Sequence, residues 1–196
     1  MSKSDPSASK KERNKTIRWV VTIFIVTMII SGTITLVSDE IMASSGIIVA
    51  FVILLFIVLI GIIFDIIGMA VASADEKPFH SMAARKVPGA QESIALLRNA
   101  ERVSSICNDV VGDICGVVAG SASATVAAQL IQNFDFSWPQ LVSLVLSALV
   151  AGLTVGGKAI GKTFAVNSCT TIVHTVGKLI YTLRHLPDIF RKKKTK

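Results

Sequence analysis

The sequence predicts an all-α integral membrane protein: four transmembrane helices with amphipathic juxtamembrane helices. Three observations predict it. Apolar residues make up 52% of the 196, and the mean hydropathy is +0.64, which is outside the range of ordinary soluble domains. The apolar residues fall into four runs, each long enough at about 1.5 Å per residue to cross a hydrocarbon core of about 30 Å. Charged residues are only 17% of the chain and gather between those runs, so the net charge of +7 belongs to loops and tails. Basic loops beside membrane spans report topology and contact with anionic lipid, so no nucleic-acid partner is expected.

Residues 1–16 form a basic tail, with Lys3, Lys10, Lys11, Arg13 and Lys15 outnumbering Asp5 and Glu12; its composition predicts disorder. The first span covers 17–37. It is too long for a signal-peptide core and runs into Asp39 and Glu40 rather than a small-residue cleavage site, so a permanent helix is expected. Arg18 and Trp19 supply a basic and an aromatic anchor at its start. A short acidic loop, Ser38–Ser45, follows. The second span, about 46–73, is almost continuously apolar, with Asp65 as its one charge.

Asp75–Glu101 is polar and amphipathic, with Pro78 as a helix start and Pro88-Gly89 as a turn. Surface helices over about 78–100 are expected, laying Phe79, Met82, Ile94, Leu96 and Leu97 on lipid or protein. His80 has no second ligand at helical spacing. The third span covers about 103–130, the connection Ile131–Pro139 carries Asp135, and the fourth span covers about 140–166. A surface helix over about 168–186 presents Ile172, Val176, Leu179, Ile180 and Leu183, and the basic stretch 191–196 ends the sequence. Charge sets the topology. The basic N-terminus, the Lys77–Arg102 interval and the C-terminal lysines belong inside, and Asp39, Glu40 and Asp135 outside. Both termini are then cytoplasmic, in a multi-pass protein of the cell membrane.

The third span, within Arg102–Leu130, holds the residues that need explaining. Gly112, Gly116, Gly120, Ala124 and Ala128 recur every fourth position, a spacing that lets another helix approach to backbone contact. In the fourth span Gly152, Gly156, Gly157 and Gly161 have a similar character, and Gly157 and Gly161 are expected in helix packing with Gly112, Gly116 and Gly120. Asn108, Asp109 and Asp113 in the third span are costly inside a bilayer, so they should face protein, water or an ion. Asp65, toward the second end of its span, is either an interfacial carboxylate reaching headgroups or water, or a buried polar ligand or partner of a basic residue on another helix. Lys158 sits one turn deeper than Lys162 and calls for a buried acidic partner. Cys107, Cys115 and Cys169 lie in or beside apolar helices without a Cys-x-x-Cys or a His pair; they read as small buried apolar side chains.

No enzyme is expected. The chain offers no Ser/His/Asp set and no His-Glu-x-x-His. The phosphate-loop spacing counted from Gly156 through Gly161, Lys162 and Thr163 follows an apolar run instead of the strand such a loop requires.

Three stretches resemble the transmembrane domain of the cyclin M (CNNM)/CorC family of magnesium transport proteins. FDIIGMAVASADEKPFHSMA is similar to the family's helix end running into a belt helix, with Phe64, Ala70 and Ser73 matching, Asp65 at a Ser position and Gly68 at a Glu position. LLRNAERVSSICNDVVGD keeps Glu101, Arg102, Ser105 and Asn108. GGKAIGKTFAV keeps Gly157, Lys162 and Ala165, with Lys158 in place of a Glu. The resemblance covers about 47–186, inside a 46–190 domain to which the first helix is an addition, in a standalone form without the family's regulatory nucleotide-binding (CBS) domains. It implies a homodimer whose intramembrane cavity holds Mg2+ through oxygen ligands, with no other small-molecule substrate. Asp65, Ser73, Asn108, Asp109 and Asp113 are the candidate metal ligands, and Lys158 is the cavity counter-ion. Two arrangements stay open: a rearranged cation site, or a Lys158–Asp pair closing it.

Overall fold

The structure is a computed structural model that describes residues 6–134 and 138–192; side chains are described over 17–42, 44–134 and 138–185. Asp135 and both chain ends (1–5 and 193–196) lie outside the described residues. The fold is all-α, with no strand among the described residues. The helices are α1 (Pro6–Ser44), α2 (Ile47–Ser73), α3 (Lys77–Ala84), α4 (Ala90–Arg98), α5 (Ala100–Ser105), α6 (Asp113–Asn133), α7 (Pro139–Asn167) and α8 (Cys169–Lys192); a π-helical segment, Ile106–Gly112, joins α5 to α6. Four stretches are long and apolar enough to cross a membrane: Ile17–Met42, Ile47–Ser73, Ala100–Asn133 and Pro139–Asn167. This is a multi-pass membrane protein.

α2 is the axis of the bundle. It contacts α6 and α7 along most of its length, then α5, α8 and the π segment near its Ser73 end. Two apolar clusters divide the interior. One joins Met42, Ala50, Leu54 and Val58 to Ala119, Ala122 and Val126. The other joins Ala70, Val71, Phe79, Leu97, Ala165 and Val173. The large side chains left outside, such as Phe24, Met28, Ile48, Phe56, Leu144 and Ile160, face outward where a bilayer supplies the apolar solvent.

Three expectations are corrected. The tail is helical from Pro6, because the first span propagates outward through Lys-, Glu- and Arg-rich sequence at one added hydrogen bond per residue. Ser38–Ser45 is no loop either: α1 continues to Ser44, leaving only Ser45 and Gly46 between it and α2. Asp39 is tolerated there because it accepts hydrogen bonds from Ser121 Oγ (3.1 Å) and Thr125 Oγ1 (3.4 Å) of α6. Gln129 Nε2 clasps the same end of α1 by donating to Met42 O at 2.6 Å. Finally, the third span is not one regular helix, since a π turn interrupts it at Ile106–Gly112.

The amphipathic helices pack against one end of the bundle. Phe79 and Leu97 are buried there, with Met82 and Ile94 partly so. On α8 the inner stripe is Val173 and Gly177 flanked by Ile172, Val176 and Ile180, while Leu179 and Leu183 point outward. α4 crosses α8 at backbone contact. Gly89 holds φ +87°, and a Cβ on it would fall 2.6 Å from Lys178 Cα. Buried Ser93 shares its hydroxyl between Gly89 O in its own first turn (2.8 Å) and Val173 O across that crossing (3.2 Å). Gly89→Ala combines left-handed strain with a backbone collision, and should lower stability by about 2 kcal/mol. Thermal unfolding in detergent checks this; an unchanged midpoint would show that the α4–α8 crossing tolerates separation.

A candidate intramembrane ion site

The polar centre lies on α2 between the two apolar clusters. Asp65 is 4% exposed and lies about 12 Å short of the Ser73 end at 1.5 Å per residue. Lys158 reaches it from α7: its Nζ is 3.9 Å from Asp65 Oδ1 and donates to Gly112 O at 3.2 Å. The ammonium thereby ties α7 to α2 and to the junction of the π segment with α6. Gly112 makes the room, because a Cβ there would stand 3.3 Å from Lys158 Nζ, 3.3 Å from Cys107 O and 3.7 Å from Asp65 Oδ1.

Asn108 closes the other side. Its Nδ2 donates to Ser104 Oγ at 3.3 Å, and its Oδ1 lies against Gly68, one turn along α2 from Asp65. Asn108 Oδ1 and Asp65 Oδ2 are both buried without a hydrogen-bond partner. Buried acceptors are almost always satisfied, because leaving one unmade costs about 1–3 kcal/mol. Two such acceptors one turn apart along α2, one of them on the carboxylate that faces Lys158, make this centre rich in acceptors. The π turn contributes to it: the extra residue rotates Asn108 relative to α6 by about 100°, and such insertions are frequent at functional sites.

The candidates therefore separate. Asp65 and Lys158 meet, and Asn108 packs on α2 one turn away at Gly68. Asp109 is exposed and accepts from Ser105 Oγ at 2.8 Å; Asp113 is exposed on the α6–α7 groove; Ser73 is exposed at the helix end. Among the described residues no group of three or more His, Cys, Asp or Glu could hold a metal ion. One carboxylate already facing an ammonium is a poor match for Mg2+, which wants near-octahedral oxygen ligation with one or two carboxylates.

The glycine ladder also divides. Four-residue steps advance about 40° beyond a full turn, so the stripe spirals. Gly112 is buried, while a Cβ on Gly116 or Gly120 would meet no heavy atom within 4 Å, and both glycines line a groove of about 610 Å³ between α6 and α7. Asp113, Ser123, Ser147, Thr154 and Lys158 share that groove. Gly157 and Gly161 pack against Ile62 and Ile66 of α2, not against the α6 glycines.

Sequence reasoning left Gly61 and Gly68 out of its helix-packing residues. A Cβ on Gly61 would lie 2.9 Å from Cys115 Cβ, and one on Gly68 2.9 Å from Cys107 Cβ; Cys107 is buried as expected, whereas Cys115 and Cys169 are half-buried. The signal was available: Gly61, Asp65 and Gly68 stand four and then three residues apart, hence on one helix face.

No protein-family model matches this chain. Comparisons with curated proteins and with solved structures likewise find no similar protein.

Proposed function

We propose that the protein moves or binds a cation within the membrane, in the manner of CorC-type divalent-cation transporters but with an altered site in which Lys158 holds the place of the ion. The observation that carries this reading is the pair of buried, partnerless acceptors, Asp65 Oδ2 and Asn108 Oδ1, beside an ammonium that already neutralises the carboxylate. Intramembrane ionisable residues facing a bundle interior commonly mark ion pathways. Gly116 and Gly120, which open on the α6–α7 groove, offer a close-approach surface for a second copy, and the basic interval and tails favour cytoplasmic termini.

The test is flux into proteoliposomes carrying the full chain and an entrapped cation-sensitive dye. Cation entry should exceed that of empty vesicles, and Asp65→Asn should reduce it at least about tenfold, as expected when roughly 1.4 kcal/mol or more of ion stabilisation is lost. An intact chain that passes no cation overturns the reading.

A second reading is a non-transporting membrane interaction or regulatory protein. It is favoured by the double engagement of Lys158, with Asp65 and with Gly112 O, which closes three helices on one another. Under it, exchanging the charges (Asp65→Lys with Lys158→Asp) preserves folding and vesicles stay tight.

A further inference from the structure

We infer that the Asp65 centre is selective for a monovalent hard cation of the sodium class, and that the Lys158 ammonium is the internal cation it displaces. The inference rests on the ion-handling reading above and names its substrate class. Charge decides the valence. The buried centre holds one carboxylate, Asp65, because Asp109 and Asp113 are exposed. A monovalent ion replaces an ammonium one for one, whereas a divalent ion would leave an uncompensated positive charge in a low-dielectric interior.

The donor chemistry decides the class. Asp65 Oδ2 and Asn108 Oδ1 are already free to accept, and Gly112 O becomes free when Lys158 leaves. Main-chain carbonyls at irregular turns of membrane helices coordinate sodium in transporter folds, and carboxylate and amide oxygens are hard donors of the same kind. Soft metals would need thiolate or imidazole instead.

Lys158 has somewhere to go. Its side chain is 20% exposed, and it lines the α6–α7 groove together with Asp113. Asp113 follows Gly112 and is the acidic side chain that shares this groove with Lys158, so it is the group to which the displaced ammonium turns. One positive charge departs Asp65 as another arrives, so the centre stays neutral, and no covalent bond is made or broken.

The test is equilibrium binding of radiolabelled Na+ to the purified full chain in detergent, with choline chloride balancing ionic strength, and with K+ and Mg2+ as competitors. Saturable Na+ binding is expected, with Asp65→Asn and Asn108→Ala weakening it at least tenfold and Lys158→Met strengthening it about tenfold by removing the competing ammonium. Circular dichroism establishes that each variant is folded, and the wild-type measurement stands alone if one is not. Saturable Mg2+ binding that Na+ does not compete away overturns the monovalent class and leaves the ion-handling reading intact. Binding of no cation by either the folded wild type or folded Lys158→Met overturns both.

Discussion

Lys158→Met should lower the stability of the folded chain by about 3 kcal/mol, and Asp65→Asn in the same chain should restore most of that loss. Removing one member of a buried ion pair strands the other charge, which typically costs about 3–5 kcal/mol, whereas removing both is close to neutral. Here the stranded group would be Asp65, 4% exposed on the central helix, already with one oxygen unpartnered. The low end of the range applies because Lys158 is partly exposed and stands 3.9 Å from the carboxylate, so the contact is one of charge rather than a direct hydrogen bond. Thermal or denaturant unfolding of wild type, both single variants and the double variant in one detergent gives the coupling directly. A double variant as unstable as Lys158→Met would mean that the ammonium matters through its hydrogen bond to Gly112 O and not through Asp65.

The second large effect belongs to Gly68. Its missing Cβ is the space into which Asn108 Oδ1 and Cys107 Cβ fit, so side chains of the π segment rest directly on the α2 backbone there. Gly68→Ala must push either the amide or the π turn away, with overpacking of this kind costing about 1–3 kcal/mol. Gly152→Ala on α7, where nothing lies within 4 Å, is the matched control. It should leave the unfolding midpoint unchanged or slightly raised, since Ala is the better helix former. Equal effects at the two positions would sink the claim that α2 and the π segment touch through Gly68. Because Asn108 is the displaced group, Gly68→Ala should also weaken any ion binding at the Asp65 centre.

Much of the architecture was legible from the chain. The four apolar runs were plain because crossing a bilayer is a sum of local desolvation terms along consecutive residues. Their ends were less so. α1 runs on through Asp39 and Glu40 because Ser121 and Thr125 offer the Asp39 carboxylate hydroxyl donors, partners that lie more than 80 positions away and leave no mark near Asp39. The ladder of small residues was visible, but a four-residue repeat does not stay on one face of a helix with 3.6 residues per turn. Gly112 accordingly turns inward while Gly120 opens on the groove.

The candidate site was legible as a set of residue types and not as a set of neighbours. Asp109 follows Asn108 and Asp113 follows Gly112, so each is rotated by about 100° from a residue that faces the centre. Adjacent positions on a helix cannot both point at the same partner. The chain itself determines that an acid, an amide and a lysine must be stabilised inside the membrane, since their solvation cost follows from composition and hydropathy alone. Only the tertiary structure decides that Asp65, and not Asp109 or Asp113, is the acid Lys158 meets. That choice depends on how α2, α6 and α7 are rotated about their axes and how closely Gly61, Gly68, Gly112 and Gly161 let them approach, and neither quantity is a sum over local sequence.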